Sequence, residues 1–454
     1  MRIALGVALT AEEIAHATCG KTSGIASSKP VTHIATSSSE VMPGDLFVAL
    51  RGNRYSGEDF VREAISHGAI ALSTKISDGI ITVDNTESAL LSLAAYYKTR
   101  LPNLLYTVGI TGSVGKTTTK EFLKIISSGK YKTHSTVGNF NNTIGLPLTL
   151  LSAPHGTEVL ILEMGMNQRG EISALSKCAS PDIGIITNIG TAHIGRLGSR
   201  EEIAKAKLEI LDGMKGGSLI IPRDEPLLEK RECDFDYSLT DTDADMTVLK
   251  DSSDTSKLTV RFLDRSFACR FVPFGNHLLN CLGPAIMAGV LTKLSNDELI
   301  TRISLISNEN TRQNIVLCKN FYILADYYNA SYESVIADFE MISMMHGYSS
   351  RSALIGSILE LGEYASDIHY RLGAQAARFG FRNLYFIGEY SEILKRGAID
   401  AGFSEDHIYT NSSESIPETT AEQIYKSTKP GEIILFKASR GIRLEGVYEI
   451  LKDL

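Results

Sequence analysis

The stretch GITGSVGKTTTKE, Gly109 to Glu121, combines residue types at a spacing that defines a chemistry. Glycines at 109, 112 and 115 let the backbone turn so that successive N–H groups face one anion, and a helix starting beyond them adds the positive end of its dipole. Lys116 offers a point charge to β- and γ-phosphate oxygens, and Thr117 a hydroxyl to Mg²⁺. The nucleotide-binding set read here is Gly112, Ser113, Gly115, Lys116, Thr117 and Thr118. The strict spacing G-x-x-x-x-G-K-[ST] is not met, because Ile110 stands five residues before Gly115; the match is to GxxGxxGKTT. The alternative is a glycine-rich turn with a surface lysine. Position favours the phosphate cradle: Leu104 to Ile110 reads as a buried strand and a helical pattern runs from Lys120.

Elements that would position this loop follow in order. The apolar runs LLYTVGI, VLILEMG (159–165), IGIITNIG (183–190) and SLIIP (218–222) alternate with helical stretches. That pattern predicts a largely parallel sheet with ligands at the carboxyl ends of its strands. Glu163 closes one such strand, where a carboxylate needs water, a cation or a partner; it reads as a Mg²⁺ ligand or as a cap on a neighbouring helix. His193 lies past the next strand end, either as a metal or phosphate ligand or as a surface histidine. Glu201 to Leu211 has the period of an amphipathic helix, with Glu201/Lys205 and Lys205/Glu209 pairs. Lys207 stands outside both pairs. Gly275, His277 and Asn280 open an apolar helix containing Pro284, with asparagine amides able to bond a base or ribose, or to cap the helix.

At 454 residues the chain has room for about three domains. Residues 1–100 read as an α/β unit, with a helix from Ala11 to Ala17, a strand at DLFVAL, a helix at EDFVREAISHGA, and turns at Pro43-Gly44 and Arg51-Gly52-Asn53. Leu101-Pro102-Asn103 marks a linker to the central unit, 101–310, in which Asp234 to Ser256 reads as loops and edge strands. A second boundary falls at SNENT (307–311), with Arg312 just beyond. The remainder, 311–454, repeats strand and helix as a Rossmann-type unit lacking G-x-G-x-x-G. There Asp326, Tyr328 and Asn329 follow one strand and Lys437, Ser439 and Arg440 another, a face suited to closing over a nucleotide. The fold class is thus α/β in three domains, with a central P-loop parallel-sheet ATPase domain.

A net charge of −8 argues against a nucleic-acid partner, while local basic groups still allow small anionic substrates. The six cysteines show no CxxC or Cys/His ligand spacing, which fits a reducing cytoplasm. The N-terminal apolar stretch is too short for a signal peptide, and no run approaches the ~20 residues of a membrane span. A monomer is the expectation.

The ordered motifs resemble the Mur ligase family. They are TGSVGKTTTKE, GNFNNTIGLPLTLL (138–151), EMGMNQRGEI (163–172), TNIGTAHIGRLGSREEIAKAKLEI (187–210), DYYNA (326–330), GSILELGEYASDIH (356–369) and KASRGIRLE (437–445). The resemblance implies a UDP-substrate domain, an ATPase domain and a domain bringing the amine, with ATP and Mg²⁺ required. It implies UDP-N-acetylmuramoyl-tripeptide and D-alanyl-D-alanine as substrates, joined through an acyl phosphate. Lys116, Glu163, His193 and Lys207 become the catalytic set. Thr117 and Glu163 would hold one metal, and His193 a second, faced by Lys207 as its carbamate. Asn276, His277 and Asn280 fall in the base segment, with Arg312 and Asp326 reaching ATP. Ser38, Asn141, Asn142, Asn329, Lys437, Ser439 and Arg440 match substrate-side positions. The chain departs from the family at Ser37-Ser38-Ser39, where Asp-Ser-Arg is common, at Asn329-Ala330-Ser331-Tyr332 and at Lys437-Ala438-Ser439-Arg440. These departures keep open a paralogue joining another carboxylate and amine; a nucleotide-binding regulator without catalysis is a second alternative, against which the retention of Lys116, Glu163, His193 and Lys207 together speaks.

Overall fold

The computed structural model describes the chain except residues 27, 53–54, 264, 273–274, 308–313, 413–416 and 454. Arg312, Asn53 of the expected turn and most of SNENT therefore lie outside the described residues. Three sheets organise the rest. The first contains β1 (Arg2–Thr10), β2 (Lys21–Ser23), β3 (Pro30–Ala35), β4 (Leu46–Val48), β5 (Ile70–Ser73) and β6 (Ile80–Thr82), in the order β1-β3-β4-β5-β6-β2. Its first helix, Ala11–Thr18, starts in a reciprocal capping box between Thr10 and Glu13, which satisfies two otherwise orphaned amides.

The central sheet holds β7 (Tyr106–Thr111), β8 (Thr133–Ser135), β9 (Val159–Glu163), β10 (Ile183–Ile186), β11 (Ser218–Pro222), β12 (Phe235–Ser238), β13 (Met246–Lys250), β14 (Lys257–Phe262) and β15 (Arg265–Arg270). Their order is β15-β14-β13-β12-β11-β10-β7-β9-β8. β7, β9 and β10 are parallel neighbours, with Ile110 opposite Glu163 and Thr111 opposite Ile186, so their carboxyl ends come together. These strands are apolar on both faces because helices cover both sides.

Two expectations are corrected in this unit. Asp234 to Ser256 supplies β12 and β13, which sit inside the sheet rather than at its edge. The polar residues there are paired: Asp234 accepts from Arg231 and from the Leu219 amide, and Asp236 accepts from Arg223. The helix after the glycine loop begins at Lys116, one turn earlier than the pattern from Lys120 suggested. Three successive threonines weaken the helical signal, yet Gly115, at φ 87°, caps the helix and the threonines form its first turn.

The third sheet contains β16 (Asn314–Cys318), β17 (Phe321–Ala325), β18 (Arg351–Gly356), β19 (Leu384–Ile387), β20 (Ile408–Asn411) and β21 (Ile433–Lys437), in the order β16-β17-β21-β18-β19-β20. All pairs beyond β16/β17 are parallel. Asp326 and Lys437 therefore emerge at the same sheet end, on adjacent strands.

The first and central units are packed together, although Leu101-Pro102-Asn103 reads as a linker. Helix Thr86–Thr99 places the Tyr97 hydroxyl on the Ala153 carbonyl at 2.8 Å, while Lys98 donates to the Ala179 and Ser180 carbonyls. Among the described residues no helix is long and apolar enough to cross a membrane.

Candidate active site

At the carboxyl ends of the central strands, Ser113 to Thr118 line a cleft of about 830 Å³. The loop can adopt this path because Gly112 has φ 147° and lies against Thr187, the residue after β10; an added Cβ there would fall 1.9 Å from Thr187 Oγ1. Gly112→Ala is accordingly expected to cost about 1–3 kcal/mol through overpacking and strain, read as a lower unfolding midpoint. A midpoint equal to that of the unsubstituted protein would remove this account of the loop. Asn188, which the sequence did not single out, fixes the loop from below: its Oδ1 accepts from the Ser113 and Val114 amides at 3.0 and 2.9 Å. Lys116 Nζ donates to the Gly112 carbonyl at 2.7 Å, folded over the cradle it helps to form.

Glu163 is the last residue of β9 and is almost fully buried. Its Oε2 accepts from the Thr117 hydroxyl and its Oε1 from Asn141 Nδ2, both at 2.8 Å. The strand-end acid is thus bonded to the threonine that the loop motif assigns to Mg²⁺. Carboxylate, hydroxyl and amide oxygens form the hard donor set that Mg²⁺ prefers. Among the described residues no group of three His, Cys, Asp or Glu side chains converges on a metal position.

His193 and Lys207 approach from the next segment. His193 caps a short helix at φ 65°, and its Nδ1 lies 2.7 Å from Glu360 Oε2, a contact from the third unit. Burial pushes the imidazole below its ordinary value, Glu360 opposes this, and the Lys116 and Lys207 charges add to the lowering. Lys207 sits on helix Arg200–Leu208 with only 2 % of its surface exposed. No hydrogen-bond or ion-pair partner for its amine is found among the described residues. Burial, reinforced by Lys116, holds it well below the usual lysine range. The flanking pairs differ from expectation, because the helix ends at Leu208. Lys205 bonds Glu202 at 2.7 Å, while Glu209 accepts from the Gly170 amide at the start of helix Glu171–Ala179.

Asn276, His277 and Asn280 line the cleft from the start of helix Asn276–Leu291, which contains Pro284. Asn276 Oδ1 accepts from Lys250, and the amide does not cap the helix. Burial, with Lys437 adding, pushes His277 down to about 4, so the imidazole is neutral at neutral pH. Asp326, Asn329 and Lys437 of the third unit face the same cleft. Arg440 stacks 4.9 Å from the Tyr328 ring centroid and lines a smaller adjoining recess with Thr117 and Lys120.

Other expected substrate residues lie elsewhere. Asn142 Oδ1 accepts from the Ile144 and Gly145 amides and so shapes a turn. Ser439 Oγ accepts from the Leu359 amide between two loops. Ser38 opens a short 3₁₀ turn on the first unit, between Ser37 and Ser39, whose hydroxyls are 2.9 Å apart. The sequence missed Glu333 and Glu360, which join the third unit to the His193 segment. Glu333 accepts from the Thr191 amide at 2.9 Å and Glu360 pairs with Arg196 at 2.8 Å. Glu360 does lie within the ELG motif, but nothing local tells that it reaches His193.

A glycine loop feeding a helix, a strand-end carboxylate beside it and a third unit lining the same cleft define a P-loop nucleotide-binding architecture. The Mur ligase middle domain matches residues 110–288, and the Mur ligase family catalytic domain matches residues 30–97. The UDP-N-acetylmuramoyl-tripeptide--D-alanyl-D-alanine ligase of Bacillus subtilis is 34% identical over 436 residues, covering 93% of this chain and 92% of that protein. Its namesake from Synechocystis is 32% identical, covering 92% and 91%. The crystal structure of MurF from Acinetobacter baumannii superposes at a TM-score of 0.88 with 25% identity, covering 100% of both chains. That of MurF ligase from Thermotoga maritima in complex with ADP gives 0.78 with 30% identity, covering 92% of this chain and 97% of that one. The chain belongs to the Mur ligase family, and it is an ATP-dependent ligase.

Proposed function

We infer that the chain joins D-alanyl-D-alanine to the peptide carboxylate of UDP-N-acetylmuramoyl-tripeptide, at the expense of ATP, in peptidoglycan precursor synthesis. The observation that carries this reading is the meeting of the Ser113–Thr118 loop and Glu163 with Asp326, Asn329 and Lys437 of the third unit in one cleft. Support comes from relatives that carry this activity in their names across nearly the whole chain. The three units proposed are 1–100 for the UDP substrate, 101–310 for ATP and 311–454 for the amine, at work in the cytoplasm.

A carboxylate is a poor acyl donor at neutral pH, and phosphorylation supplies a leaving group. One carboxylate oxygen attacks the γ-phosphorus, the bond to the ADP oxygen breaks, and an acyl phosphate forms. The amine of D-alanyl-D-alanine then attacks the carbonyl carbon, phosphate departs, and loss of a proton leaves the amide. Lys116 places positive charge against the transferring oxygens, where positioning and electrostatics supply most of such catalysis. Thr117 and Glu163 would hold one Mg²⁺, and His193 with carbamylated Lys207 a second; when bound, the ion supplies Lewis-acid charge to phosphate oxygens. Lys207 suits that modification because burial disfavours its charged form, and the carbamate puts an anion where an ammonium would be costly. Asn276, His277, Asn280, Asp326 and Arg312 are assigned to ATP. Asn141, Asn142, Asn329, Lys437, Ser439, Arg440 and Ser38 are assigned to the substrates; Asn142 and Ser439 would act there by shaping loops.

The test is phosphate release from ATP and Mg²⁺ with the two substrates supplied singly and together. Release that needs both, with a pentapeptide product by mass, is the expected result. ATP binding without turnover on this pair would overturn the substrate assignment.

A further inference from the structure

Lys437, 3 % exposed, is held between two carboxylates. Its Nζ lies 2.6 Å from Asp326 Oδ2 and 2.8 Å from Asp338 Oδ2. Asp326 follows β17, Lys437 ends β21 beside it, and Asp338 comes down from helix Tyr332–Met344. Asp326 and Asp338 also lie within hydrogen-bond reach of one another. Two ionised carboxylates and one ammonium would leave this buried cluster with a net negative charge on the wall of a cleft that receives a polyanion. Asp338 is not among the residues that the loop motif or the strand ends select.

We propose that Asp338 is a positioning residue of the nucleotide cleft. Acting through Lys437, it sets whether the Asp326–Lys437 pair presents a neutral or a negative wall to the phosphates. Burial raises the Asp338 carboxyl to about 7, with Asp326 adding and Lys437 opposing. Below that pH its proton bridges the two acids, and the cluster is neutral. Above it the cluster carries one negative charge and Lys437 is shared between two anions. The other groups facing the cluster are His277, on helix Asn276–Leu291, and Lys250 beyond it. His277 stays neutral above pH 5 and does not change state across neutrality, while burial lowers Lys250 from its ordinary value in wild type and variant alike.

The sign follows directly: affinity for the anionic nucleotide falls as pH rises through 7. Asp338→Asn preserves shape and both hydrogen-bond roles while fixing the neutral state. The experiment compares KM for ATP between pH 6 and 8 in the two enzymes, since the nucleotide's own ionisation cancels in the ratio. The expected result is a rise in the wild-type KM on the order of five-fold relative to Asp338→Asn, the size of one charge felt across a polar cleft. The effect should fall on KM more than on kcat. Equal pH slopes in both enzymes would overturn the proposal. An infrared difference spectrum of the wild-type protein alone, between pH 6 and 8, covers the case in which the variant does not fold. Loss of a buried carboxylic-acid carbonyl band supports the proposal, and no such loss overturns it. The KM comparison rests on the ligase reading and the spectrum does not. An inactive protein that loses the band would therefore refute the ligase and keep the cluster.

Discussion

Replacing Lys207 by methionine is expected to lower kcat about a thousand-fold, with the fold intact. Lys207 lies on a helix whose N-cap, Ser199, accepts from the Glu202 amide, so the side chain is carried on a rigid element. A structural lysine this deeply buried ordinarily has a carboxylate partner. Here no partner is found among the described residues, and the charge that acts on it, that of Lys116, is of the same sign. Removing such a group should leave thermal stability unchanged or raised, because no pair is broken. Burial holds the amine well below the usual lysine range and so favours the neutral form that adds CO₂; depleting bicarbonate should therefore lower wild-type activity and leave the residual activity of Lys207→Met unchanged. The check is kcat of both proteins in decarbonated and bicarbonate buffer. A methionine variant with wild-type turnover would remove Lys207 from the catalytic set.

Glu163→Gln is the second large effect, again expected to cost on the order of a thousand-fold in kcat. Glutamine keeps the size of the side chain, and its amide can still meet one of the two donors, Thr117 or Asn141. What disappears is the negative charge, buried at the strand end beside the phosphate loop. If that charge holds Mg²⁺, the Mg²⁺ concentration giving half-maximal rate should rise along with the loss in kcat. If Glu163 only braces Thr117, the Mg²⁺ dependence will be unchanged and the loss will be small. Titrating Mg²⁺ at saturating ATP separates the two outcomes.

What could be read from the chain was local. Gly112, Gly115 and Lys116 announce the loop because their types are demanded by backbone geometry and phosphate charge. Glu163 is visible because it ends an apolar run. Runs such as VLILE and IGII give their strands away because both faces are buried. The strands between Asp234 and Lys250 were obscured because their acids find partners, Arg223 and Arg231, that no periodic pattern reveals. The same reason hid Asp338, Glu333, Glu360 and Asn188. Each is an ordinary polar residue locally and acquires its role from an element more than 70 positions away. From charge pattern alone Lys207 was legible by subtraction, as the lysine left outside two expected pairs, and those pairs themselves were redrawn by the end of the helix at Leu208; its role came from the resemblance.

The acyl phosphate is the centre of this account, and isotope transfer tests it most directly. UDP-N-acetylmuramoyl-tripeptide labelled with ¹⁸O in its terminal carboxylate would be turned over with D-alanyl-D-alanine and unlabelled ATP, and the released phosphate analysed by mass. The account predicts phosphate carrying one ¹⁸O from the carboxylate, with ADP as the other nucleotide product. Unlabelled phosphate, or AMP and pyrophosphate in place of ADP and phosphate, would contradict it.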